Sequence, residues 1–70
     1  MHTIPQQTLV SVALQYSLDL HDLKLALLIS EEVGRYEPEN KEQILAETLE
    51  TLIGLTPNDS RRVADWVYGG

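Results

Sequence analysis

Residues 18–29 read Leu-Asp-Leu-His-Asp-Leu-Lys-Leu-Ala-Leu-Leu-Ile, and eight of these twelve are apolar. Wound as a helix at about 100° per residue, Leu25, Leu28 and Ile29 gather with Val33 on one side. Leu20, Leu23 and Leu27 project from nearly the opposite side, with Ala26 between the two groups. A helix that is apolar on both sides must be covered on both. Either it is central, with the other helices wrapped round it, or part of it meets another chain. Ser17 or Asp19 is placed to cap its start, and Gly34 to supply a left-handed residue at its end.

Working outward, the prolines and internal glycines fall where helix boundaries need them, and they divide the chain into four short helices. Before the central stretch, Thr3 and Gln6 form an N-terminal capping pattern with Pro5 in the first turn. A first helix then runs to about Tyr16. Leu9, Val12, Ala13 and Tyr16 share its apolar side, Val10 and Leu14 extend that side, and Gln7, Thr8, Ser11 and Gln15 occupy the other. The β-branched residues of Thr8–Val12 leave a strand as the second reading of this segment.

After the central stretch, Tyr36–Asn40 turns the chain, and Pro38 or the Asn40/Gln43 capping pattern starts a third helix. Its buried side is expected to be Leu45, Leu49, Leu52 and Ile53, with Ile44 and Thr48 at the margin. Glu39, Gln43, Glu47 and Glu50 lie opposite. Gly54 stops this helix so that Leu55 folds back onto Leu49. Thr56, Pro57 and Asp59 then supply an N-cap, a first-turn proline and an acid at the positive end of a fourth helix. Val63, Trp66 and Val67 are its expected apolar face. The fold class implied is all-α: one small domain over residues 1–70, a bundle of three to four short helices.

Seventy residues and 7.9 kDa place the chain where one apolar core barely offsets the entropy of ordering it. With no cysteine, disulfides and thiolate metal sites are excluded, and two histidines cannot complete a structural zinc site. Idealised helix packing and self-association are the remaining sources of support. Leu20, Leu23 and Leu27 are the residues expected at a joint between two copies, with Gln7, Ser11 and Gln15 as neutral contacts. In the competing reading, those leucines pack beneath the first and fourth helices.

Eleven acids against five bases give a net charge of −6, all of it arising between Asp19 and Glu50. That balance repels polyanions and disfavours general nucleic-acid binding. Glu39, Glu47 and Glu50 form an acidic face, which is either a solvated helix surface or a surface that engages a basic nucleic-acid-binding protein. The basic exception is Arg61 and Arg62 at the start of the fourth helix, where Asp59 and Asp65 are spaced to pair with them. The run Leu55, Thr56, Pro57 through Arg61, Arg62 and Val63 resembles the opening helix of LuxR-type regulators. That resemblance covers the one capped helix and implies a small DNA-binding regulator using Arg61 and Arg62; the helices that would support it and read the groove have no residues left after Gly70, so this reading ranks behind the other two.

Chemistry is sparsely represented. His21 diverges from Asp19 and Asp22 on a helix, His2 is terminal, and Glu31 and Glu32 diverge from each other, so no metal or other cofactor is expected. Ser11, Ser17, Ser30 and Ser60 lack the flanking glycines of a nucleophile elbow. The two internal glycines punctuate helices and form no phosphate loop. The expectation is a non-catalytic protein–protein interaction module, an adaptor, scaffold or regulatory subunit whose partners are a second copy and another protein. No secretory signal or membrane span is read, and the expected compartment is the cytoplasm.

Overall fold

The computed structural model describes residues 4–69, so the expected Thr3/Gln6 cap falls partly outside the described residues. Helix α1 (Gln6–Tyr16) starts after extended Pro5 and is closed by Ser17, whose φ of 56° is left-handed. The Leu18 N–H donates to the Ala13 carbonyl at 2.8 Å and half-buried Leu18 packs against the core, an ending that glycine more often provides. Helix α2 (Leu20–Gly34) is capped by Asp19, whose carboxylate accepts from the His21 N–H at 2.8 Å. A 3-10 turn (Pro38–Asn40) leads into α3 (Lys41–Thr48), which continues as a π-helical turn over Leu49–Ile53. Asn40 makes no capping bond to α3; its side chain donates to the Glu37 carboxylate instead.

Gly54 stands at φ 81°, as a left-handed helix stop requires, and Leu55 folds back with its N–H on the Leu49 carbonyl. Helix α4 (Pro57–Ala64) begins at Thr56, whose hydroxyl accepts from the Asp59 N–H at 3.2 Å. It too ends in a π-helical turn, Asp65–Gly69. Among the described residues the fold is therefore four helices, and the strand reading of Thr8–Val12 is replaced by α1.

One core joins all four: Leu9, Val12 and Ala13 from α1, Leu23 and Ala26 from α2, Leu45 and Leu49 around α3, and Val63 and Ala64 from α4. Helix α3 is the middle element, packing against both α2 and α4, while α1 lies against α2. The side of α2 that carries Leu25, Leu28, Ile29 and Val33 stays exposed.

Gly34 is not the left-handed stop that its position suggested. It lies within α2, and left-handed backbone among the described residues is confined to Ser17 and Gly54. Its lack of a side chain serves a close approach, because a Cβ there would collide with the aliphatic stem of Lys41 at the start of α3.

The two π-helical turns displace other expected positions. Bonding five residues back turns the chain less per residue, so side chains after the transition fall behind their α-helical positions. Leu52, expected inside, is exposed, while Ile53 packs against the core. Trp66 is likewise 39% exposed, and Val67 and Tyr68 take the inner positions.

Candidate functional site

Four residues separate neighbours along the side-chain ridges of a helix, and the ridges of α2 differ in size as well as polarity. Residues 26, 30 and 34 are Ala, Ser and Gly, and all three are buried. Gly34 admits the Lys41 stem from the start of α3, Ser30 meets Tyr68, and Leu23 and Leu27 pack in the core on the same side. Leu23 is 0% exposed, and Leu20 and Leu27 are partly buried against the core. Of the joint expected at Leu20, Leu23 and Leu27, Leu23 is enclosed in the interior and out of reach of a second copy, while Leu20 and Leu27 are only partly buried.

The surplus apolar side of α2 is the opposite one. Residues 25, 29 and 33 form a ridge of Leu, Ile and Val, and all three are exposed. Beside it, residues 24, 28 and 32 form a ridge of Lys, Leu and Glu, with Leu28 at 59% exposure. Apolar side chains grouped in this way mark a contact surface more strongly than the same residues scattered singly. The sequence contained the signal that separates the two sides, in the small ridge 26–30–34, but a count of apolar residues gives size no weight.

On α1, Gln7, Ser11 and Gln15 are exposed as expected. Val10 and Leu14 are exposed with them, Leu14 at 77%, rather than extending the buried side. Leu9, Val12, Ala13 and half-buried Tyr16 suffice to face the core, so nothing reaches round to the outer side of this helix.

The inner side of α2 is closed by a polar cluster at its C-terminal end. Ser30 Oγ, fully buried, lies 2.8 Å from the Tyr68 hydroxyl and also donates to the Leu27 carbonyl at 2.8 Å. Lys41 pairs with Glu31 and places its Nζ 5.5 Å from the centre of the Tyr68 ring. The hydrogen bond to Glu31 raises the Lys41 pKa above the ordinary lysine value, against a smaller opposing effect of desolvation. Burial raises that of Tyr68, opposed in part by its hydrogen bond to Ser30. Tyr68 reaches Ser30 because the π-helical turn carries it inward.

Glu39, Glu47 and Glu50 are exposed and, with Glu42, line a groove of about 470 Å³ between the 3-10 turn, α3 and α4. Arg61 enters the same groove from α4. Desolvation raises the Glu42 pKa, and a hydrogen bond to Asp65 and its nearby charge add to the rise. The expected pairing of Arg61 and Arg62 with Asp59 and Asp65 does not form: neither arginine makes an ion pair with a described residue. His21 approaches Asp22 at 3.9 Å on an exposed surface. Among the described residues, no three His, Asp or Glu side chains converge as a metal site would require.

No helix formed by the described residues is long and apolar enough to cross a membrane. Searches against family models, curated proteins and solved structures find no match to this chain.

Proposed function

We propose that this chain is a non-catalytic protein–protein interaction module, a small adaptor, scaffold or regulatory subunit, that self-associates through the outer side of α2. The observation that carries the reading is the exposed apolar ridge Leu25–Ile29–Val33 beside Leu28 on a helix whose other side is already fully used. Covering large apolar side chains stabilises an association by roughly 25 cal/mol per Å² removed from water, before the costs of bringing two molecules together. A 70-residue chain gains more from that support than a larger domain would.

Light scattering of the purified chain and of a Leu25→Glu/Leu28→Glu variant tests the reading at low and high salt. The native chain is expected to associate at both salt concentrations, since apolar contact is little screened, and the variant to be a folded monomer. A native chain and variant of equal mass would overturn it.

A second reading rests on the groove that brings Glu39, Glu42, Glu47 and Glu50 together: an acidic inhibitor that occupies a basic nucleic-acid-binding protein. Binding of that kind would weaken steeply with ionic strength. The two readings use different faces, and their salt dependences separate them.

A further inference from the structure

The reading of α2 as a self-association surface leaves open in which direction the two copies run; the inference that follows rests on that reading. The geometry points to a second copy of this chain, with its α2 antiparallel to the first and the two-fold axis passing beside Leu28. The reason is the charge on the ridge 24–28–32. Lys24 stands four residues before Leu28 and Glu32 four residues after it, so each lies one ridge position from the centre, with opposite sign.

A two-fold axis at Leu28 lays Lys24 of one copy against Glu32 of the second and repeats that pairing on the other side, as isologous contacts must. Running the helices parallel would oppose Lys24 to Lys24 and Glu32 to Glu32. Charges flanking an apolar seam set partner orientation in this manner even where they add little affinity. The apolar ridge pairs in a similar antiparallel sense about its own midpoint, Ile29, one residue from Leu28: Ile29 lies near Ile29 of the second copy, and Leu25 lies toward Val33.

The charges are available for this role. Lys24 is exposed and makes no ion pair with a described residue. Glu32 pairs only with Arg35, at 3.4 Å between two exposed side chains, an interaction weak enough to be shared or exchanged. The polar charge of α2 that is committed elsewhere, Glu31, lies toward the inner side against Lys41. A basic or acidic foreign helix would answer one of the two charges and oppose the other, whereas a second copy answers both.

Charge reversal tests this arrangement. Lys24→Glu and Glu32→Lys each turn two attractive contacts into two repulsive ones, and each is expected to raise the dimer dissociation constant roughly tenfold to a hundredfold. The double variant Lys24→Glu/Glu32→Lys restores opposite charges across the axis and is expected to return to the native value. An equimolar mixture of the two single variants is expected to form a mixed dimer as tight as the native one. Circular dichroism confirms that each variant keeps its helices, as substitutions at exposed positions should.

Single variants that associate as tightly as the native chain would overturn the antiparallel register, as would a double variant that stays weak. Either result can occur while Leu25→Glu/Leu28→Glu still dissociates the native complex, in which case the α2 surface stands and its orientation does not. A native chain that never associates removes both.

Discussion

The inner and outer sides of α2 carry similar numbers of large apolar residues, yet one is sealed and the other is open. On the inner side, Ala26, Ser30 and Gly34 are buried along with Leu23, Gly34 admits the Lys41 stem from α3, and Tyr68 closes the end with its hydroxyl on Ser30. On the outer side, Leu25, Leu28, Ile29 and Val33 are all large, and all four remain exposed. Hydrophobicity gives a helix its need for cover, but side-chain size decides which side the chain itself covers first. The side left over is then available to a partner.

The largest difference should appear between Leu23→Ala and Leu28→Ala. Leu23→Ala opens a cavity in the core and is expected to cost about 2–5 kcal/mol of folding stability by chemical denaturation. Leu28→Ala should change the stability of the isolated chain by less than about 0.5 kcal/mol, with its effect confined to association. Equal losses at the two positions, measured where the chain is dissociated, would erase the distinction between the sides.

Gly34→Ala probes the close approach itself. Alanine favours a helix by roughly 1 kcal/mol over glycine, but here its Cβ displaces the Lys41 stem and disturbs the pairing with Glu31. The net effect on thermal unfolding is expected to be a loss, and a gain would mean that α3 lies farther from α2 than described.

Tyr68→Phe removes the hydroxyl that meets Ser30 and should cost about 1 kcal/mol, leaving association unchanged. Both Tyr68 and Lys41 have pKa values raised in the folded chain. Their contribution is therefore complete below the ordinary tyrosine and lysine values and is lost as pH rises through the raised ones. Alkaline titration followed by circular dichroism should show native unfolding there, with a smaller pH slope in Tyr68→Phe.

The smallest effect lies away from α2. The raised pKa of Glu42 means that its contribution is complete below the ordinary carboxylate value and declines as pH rises through the raised one. Glu42→Gln should flatten that slope and raise stability at neutral pH by a few tenths of a kcal/mol, on the order of a relieved like-charge contact. Denaturation midpoints at mildly acidic and neutral pH measure it, and an unchanged slope would show that neither desolvation nor Asp65 raises the Glu42 pKa in the folded chain.

The four helices were legible because prolines, glycines and caps act locally: Asp19, Gly54 and Thr56 do what their types and positions suggested. The polarity of α2 was legible only as a surplus. Which side it fell on depended on packing against α3, and the clue lay in the small residues at 26, 30 and 34. Leu52 and Trp66 were misplaced for another reason. A uniform 3.6-residue period cannot anticipate a π-helical turn, which shifts every position that follows it. The acidic face was legible as a face, but its closure into a groove required knowing where α4 lies.

Sedimentation equilibrium of the native chain over a range of concentrations tests the central claim most directly. The mass should rise from one chain of 7.9 kDa toward that of two as concentration increases, with little dependence on salt. A mass that stays at a single chain at every concentration, with α2 intact, would contradict the assignment of its outer side to self-association.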